Sequence, residues 1–147
     1  MELRQILNSV DLFEGLSQVE LEQVAGICTE KRFMNGDIIA QEGDFGTELY
    51  IITEGFVEVL LGERSTSTAR VVVCLGSGQI IGEMALLDQG RRSASVRAAS
   101  DPTVVQVIQR QDFEALCQSN TNIGYIVMRN LAADLSFKLR HRNLSER

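Results

Sequence analysis

The chain has no tryptophan, one proline, one histidine and three cysteines among 147 residues, and only 5% of it is aromatic. The single histidine, His141, excludes by arithmetic a zinc or iron centre built on a histidine cluster and leaves a Ser–His–Asp triad no freedom of choice. It stands in a basic tail and reads as a solvated side chain near a helix end, where a cation is mildly favourable. Cys28, Cys74 and Cys117 are odd in number and widely spaced, so they fit neither a disulfide framework nor a zinc site of CxxC spacing; they read as small buried apolar residues. Long apolar runs are missing too. The longest, residues 71–75, is far too short to span a bilayer, and the N-terminus lacks the basic-then-apolar layout of a signal peptide. The expectation is a cytoplasmic protein. Basic charge is in short supply: 14 Lys and Arg face 20 Asp and Glu, for a net charge of −6 and a pI near 4.8. Phosphate-backbone binding needs a basic surface, so nucleic acid is not the expected partner.

What is present is a soluble globular composition, 44% apolar and 23% charged, of a length suited to one domain over 1–147. The segment 1–30 reads as helical. Ser17 and Glu20 have capping-box spacing, Leu16 and Leu21 can form a hydrophobic staple, and the spacing predicts a helix to about Ile27. From 31 to 110 short apolar runs are broken by many of the 12 glycines. Strands are expected at 37–41, 48–53, 56–61, 69–75, 79–81, 93–98 and 103–109. Val57, Val59 and Leu61 alternate against Glu58, the period of a strand with one buried face, and Glu54-Gly55 suits a tight hairpin. The polar stretch 62–68 reads as a solvated hairpin loop. So many short strands argue for a β-sandwich or jelly roll.

Over 111–143 the helical period returns, with a short helix at 112–118 and a long one from 122 to about 142. In the long helix Ile123, Val127, Leu131, Leu135 and Leu139 form an i, i+4 series. Ile126, Met128, Ala132, Ala133 and Phe137 widen the apolar arc beyond that of an ordinary surface helix, which predicts burial on two sides, one of them against a partner.

One stretch, 78–96, does not read as plain sandwich. A strand ends at Gly82, a helical turn begins with Glu83-Met84-Ala85, and a loop returns through Arg91 and Arg92 to Ser93-Ala94-Ser95. Amides at the start of a helical turn favour an anion, and an arginine opposite them supplies charge and a bidentate fork for phosphate oxygens. Glu83 would repel a lone phosphate but suits a sugar hydroxyl. Together these parts select an anionic ligand that also carries a ribose.

This stretch resembles the phosphate-binding cassette of the cyclic nucleotide-binding domain, the family shared by catabolite activator protein, protein kinase regulatory subunits and cyclic nucleotide-gated channels. Residues 36–52 with Gly55 are similar to the family's first glycine-rich strands, 10–17 to its N-terminal entry, and Asp112-Phe113 to its exit into the terminal helices. The resemblance implies a mainly β fold, an eight-stranded jelly roll with an N-terminal helix and C-terminal helices. It implies that Glu83 meets the ribose 2′-hydroxyl and Arg92 the phosphate, with backbone contacts from Gly82, Met84, Ala85, Ser93 and Ala94 and an added donor in the Ser93 hydroxyl. Arg91 lies one place too early and reads as a solvated loop charge. The terminal helix is the family's lid over the purine, for which Asp134, Lys138 and Arg140 are polar candidates, and often its dimer interface.

The function implied is that of a non-enzymatic receptor module for a cyclic mononucleotide, cyclic AMP favoured over cyclic GMP. Occupancy would pass through the C-terminal helix to an effector protein or a second copy. No metal or other cofactor is expected, nor a membrane. The chain stops soon after the terminal helix, so the expectation is a stand-alone domain without a helix-turn-helix segment. The alternative is a jelly-roll interaction or dimerisation module that ignores nucleotides. A cupin-like metal oxygenase is disfavoured because its metal ligands are missing.

Overall fold

The computed structural model of the chain describes residues 2–62, 70–88 and 90–145, with backbone alone over 142–145. Apart from Gly62, the loop expected at 62–68 lies outside the described residues. Two compact units emerge, Met1–Gly26 with Glu114–Arg147, and Ile27–Phe113.

The second unit holds eight strands: β1 (Cys28–Phe33), β2 (Ile38–Ala40), β3 (Glu48–Glu54), β4 (Val57–Leu61), β5 (Arg70–Leu75), β6 (Ile80–Ile81), β7 (Ser95–Ala98) and β8 (Thr103–Gln109). They form two four-stranded sheets, ordered β1-β8-β3-β6 and β2-β7-β4-β5, and every pairing is antiparallel. This is the mainly β jelly-roll architecture expected from the sequence. Alternate residues of both sheets meet between them: Tyr50, Ile52, Val105 and Val107 from one, Val57, Val96 and Ala98 from the other. β3 and β8 are the two inner strands of their sheet; β8 is buried along almost its whole length and β3 over Leu49–Ile52, which fits their apolar runs.

Two strands differ from the sequence reading. β1 was concealed by its composition, Thr29-Glu30-Lys31-Arg32, and starts inside the segment expected to be helical. It is an edge strand paired only with β8, and a charged edge is how a sheet avoids pairing with another chain. In β4 the expected alternation of Val57, Val59 and Leu61 breaks. A bulge shifts the register between Val59 and Leu60, so Leu60 turns inward and Leu61 is left 39% exposed.

In the other unit α1 (Leu3–Asn8), a 3-10 turn at Asp11–Phe13 and α2 (Gln18–Ala25) precede the β strands in the chain; α3 (Arg110–Ser119), whose first four residues belong to the β unit, and α4 (Thr121–Ser145) follow them. The capping box forms as expected: Glu20 N–H donates to Ser17 Oγ at 3.2 Å, and Ser17 N–H to Glu20 Oε1 at 3.0 Å. The other Glu20 oxygen accepts from Asn122 Nδ2 and Asn120 Nδ2. These bonds, that from Asn122 foremost, hold the Glu20 carboxyl below its ordinary range. Asn130 of α4 donates to the carbonyls of Leu12 and Glu14, which ties α4 to the 3-10 turn.

The long apolar series of α4 divides at its middle. Ile123, Val127 and Leu131 are buried, whereas Leu139 is 64% and Phe137 61% exposed. Ile126, an expected contact for a partner, is instead buried; a side chain at Gly15 would touch it. His141 is exposed and lies 4.1 Å from the Phe137 ring, between centroids. Cys28 and Cys117 are half-buried and Cys74, on the edge strand β5, is exposed, so the expected burial is met only in part by the first two and fails for Cys74. Burial pushes the Cys28 thiol up to about 12.

The β3–β4 turn does not close the expected hairpin, because the two strands lie in different sheets; it depends on Gly55. Its φ is +84°, and a Cβ there would overlap Ser100 Oγ and approach the Pro102 carbonyl to 2.7 Å. Ser100 Oγ accepts from Phe56 N–H at 2.9 Å and meets Thr103 Oγ1 at 2.8 Å, so the turn is pinned to the start of β8. Gly55→Ala is expected to destabilise the protein by at least about 2 kcal/mol in urea unfolding, since backbone strain and overlap add. A loss below about 0.5 kcal/mol would contradict this reading of the turn.

Candidate functional site

β6 ends at Gly82, whose φ of 79° and ψ of 28° turn the chain into the 3-10 segment Glu83–Leu86. The Ala85 N–H closes onto the Gly82 carbonyl at 3.0 Å, while the first amides of the turn have no acceptor within it. Ala85 is buried, Glu83 half-buried and Met84 exposed. After the turn the Asp88 carboxylate accepts from Gly90 N–H at 2.9 Å.

From Gly90 the chain is zipped onto the loop 43–46. Gly46 N–H donates to Gly90 O, Gly43 N–H to Arg92 O, and Arg92 N–H to Asp44 O at 2.6 Å, with an isolated bridge between Phe45 and Arg91. Successive side chains of an extended segment point to opposite sides. Arg91 therefore turns outward, stacks over the Phe45 ring at 4.4 Å and donates to the Gly43 carbonyl. Arg92 turns inward. Its Nη2 donates to the Glu48 carbonyl at 2.9 Å, and its guanidinium lies 5.4 Å from the centre of the Tyr50 ring. Two glycines make room for it. A Cβ at Gly46 would sit 2.8 Å from Arg92 Nε, and one at Gly82 would overlap Arg92 Nη1.

The expected residues Gly82 and Arg92 are thus brought together, and Glu83 follows Gly82 in the chain. Ser93 is exposed at a bend and Ala94 is half-buried. Asp134, Lys138 and Arg140 stand on exposed positions of α4, where Asp134 and Lys138 form an i, i+4 ion pair at 3.0 Å. Gly46, Glu48 and Tyr50 were not singled out by the sequence reading as site residues, although they fall within the glycine-rich stretch it noted. Tyr50 O–H donates to Glu48 Oε1 at 2.6 Å, and burial, reinforced by Glu48, raises the phenol above its ordinary range. Ser95 Oγ accepts from Glu42 N–H at 2.9 Å, so the second serine of the run braces the loop.

An open cleft of about 270 Å³ borders Arg92, Tyr50, Phe45 and Ile38. It also presents the acids Asp44 and Glu48 and does not include Glu83 or Ser93, so it is a poor seat for an anion. The Gly82 turn has the Arg92 guanidinium beside it, a donor of the kind that phosphate oxygens require. Among the described residues no cluster of histidine, cysteine or carboxylates has the makings of a metal site, and no helix is long and apolar enough to cross a membrane.

Residues 30–120 match the family model of the cyclic nucleotide-binding domain. The chain is 35% identical to the cyclic AMP receptor protein of Thermus thermophilus, over 90% of its own length and 59% of that protein. It is 29% identical to cGMP-dependent protein kinase 2 of Mus musculus, over 76% of its length but only 15% of the kinase. The crystal structure of Thermus thermophilus catabolite activator protein superposes with a TM-score of 0.80 at 32% identity, covering 92% of this chain and 61% of that one. The chain therefore spans about three-fifths of its Thermus relative and a small part of the kinase.

If the guanidinium rather than backbone strain alone requires glycine at position 82, the two effects separate. Gly82→Ala is expected to destabilise the protein by about 2–4 kcal/mol, and by about 1–2 kcal/mol when made in an Arg92→Ala background. Equal losses in both backgrounds, in urea unfolding, would show that Arg92 does not occupy that space.

Proposed function

The chain belongs to the cyclic nucleotide-binding domain family, and from that premise we propose that it binds a cyclic mononucleotide as a regulatory receptor module, not as an enzyme. The observation that carries the reading is the placement of Arg92: a half-buried cation directed at the Gly82 turn, where a short helical segment begins. In this reading the phosphate lies between Arg92 and the backbone of Gly82, Met84, Ala85, Ser93 and Ala94. Receiving it requires the Ala85 amide to share or exchange its bond to Gly82 O. Glu83 accepts from the ribose 2′-hydroxyl, whose neighbouring phosphate oxygens are kept from the carboxylate by the guanidinium.

The purine is the less determined part of the ligand. Asp134, Lys138 and Arg140 of α4, the first two joined in an exposed ion pair, are proposed as its polar contacts. Ser93 carries a hydroxyl without a methyl and is free by chemistry to serve either base. A single neutral hydrogen bond contributes only about 0.5–1.5 kcal/mol net, so discrimination at Ser93 is limited to roughly tenfold. Both nucleotides are expected to bind, cyclic AMP the tighter by a modest factor. Output is assigned to the C-terminal helix, whose exposed Tyr125, Phe137 and Leu139 suit a second copy or an effector protein. Those same residues favour the second reading, an interaction module indifferent to nucleotides.

Titration with cyclic AMP, cyclic GMP and cyclic dinucleotides separates the two. Cyclic AMP at 100 times its Kd is expected to stabilise the fold by about 2.7 kcal/mol in melts, and no stabilisation by any nucleotide would leave the second reading. Arg92→Ala is expected to weaken binding by about 30-fold to several thousand-fold, the cost of leaving a sequestered anion without its partner. Arg91→Ala, on the outer face, is expected to change affinity by no more than about threefold. Equal losses at the two positions would overturn the assignment. A hundredfold preference for cyclic GMP, abolished by Ser93→Ala, would place the hydroxyl on the base instead.

A further inference from the structure

The contacts of Glu48 reach in two directions. Its carbonyl accepts from Arg92 Nη2 at 2.9 Å. Its carboxylate accepts from Tyr50 O–H at 2.6 Å on one oxygen and from Gln109 Nε2 at 2.6 Å on the other. The Tyr50 ring, fixed by that first bond, lies beneath the Arg92 guanidinium at 5.4 Å. Gln109 is the last residue of β8, and at the next position Arg110 N–H, the first of α3, donates to the Thr47 carbonyl at 3.0 Å. One residue thus holds the arginine from behind and the β8–α3 junction at its side.

We propose that Glu48 is a positioning residue that presents Arg92 to the phosphate through Tyr50 and passes the occupancy of Arg92 to the start of α3 through Gln109. The inference rests on the cyclic nucleotide reading for its ligand, not for its geometry. Arginine has five donors in a rigid fork. With Nη2 committed to the Glu48 carbonyl and Nη1 against Gly82, the guanidinium is pre-set with one edge toward the turn, and less rotamer freedom remains to be lost on binding. Tyr50 contributes only if its ring is held, and the charge-assisted bond to the Glu48 carboxylate holds it. A bound phosphate neutralises Arg92, which contacts this carboxylate's partner Tyr50, and so alters the field in which Glu48 grips Gln109. A physical coupling of this kind is established only by non-additivity, not by spatial order.

The test is a double-mutant cycle on the full chain. Glu48→Gln and Tyr50→Phe keep the carbonyl and the ring, and each is expected to weaken cyclic AMP binding by about five- to tenfold. In an Arg92→Lys background, where the fork is gone, Glu48→Gln is expected to cost no more than about twofold further. Full additivity, or unchanged affinity in Glu48→Gln, overturns the proposal. The same cycle read by urea unfolding of the ligand-free protein separates it from the ligand reading. Absence of nucleotide uptake with a non-additive urea cycle sinks the ligand reading and supports the positioning role; uptake with additive cycles sinks the positioning role alone. Hydrogen exchange supplies the readout that a merely structural role would not move. With each protein saturated, cyclic AMP is expected to change amide protection over 110–113 in the wild type but not in Gln109→Leu. An identical ligand effect on those amides in both proteins would contradict the relay.

Discussion

Arg92 brings a full positive charge into a half-buried space, and a charge is stable there only where neighbouring groups accept its hydrogens and leave it room. Much of the β unit around it answers that requirement. The Glu48 carbonyl takes one end of the fork, the Tyr50 ring lies below it, and residues 46 and 82 are glycines because any side chain would occupy its volume. The zipper between 43–46 and 90–92 sets which arginine turns inward. The extended geometry makes Arg91 and Arg92 unequal despite their identical chemistry. Arg91 is spent on the Phe45 ring and the Gly43 carbonyl, whereas Arg92 faces the Gly82 turn.

Legibility in the sequence followed the strength of the local signal. The capping box at Ser17 and Glu20, the apolar runs that became β3 and β8, and the glycine-flanked turn before Glu83 were all readable, because each is fixed by neighbours in the chain. β1 was not, since an edge strand with one partner carries Glu30, Lys31 and Arg32 on purpose and shows no apolar period. The bulge in β4 was equally hidden. The pattern of Val57, Val59 and Leu61 is sound locally, and only the register against β5 moves Leu60 inward.

The candidate site divides along the same line. Glycine and arginine at the cassette could be read directly, whereas Gly46, Glu48 and Tyr50 act on Arg92 across |i−j| of about 44, a separation no local pattern spans. The half-and-half character of α4 was likewise beyond a helical wheel. Its apolar arc is continuous in sequence, yet Asn130 anchors only the first half to the 3-10 turn, and Phe137 and Leu139 beyond it stay exposed.

The most direct measurement of the central claim follows the Arg92 Nε–H resonance by NMR, assigned through its loss in Arg92→Lys, as cyclic AMP is added. The account requires that this signal shift progressively and saturate at one nucleotide per chain, together with the backbone amides of Gly82 to Ala85. An Arg92 signal that stays in place while other resonances saturate, or that moves without saturating, would contradict the assignment of Arg92 as the phosphate's partner.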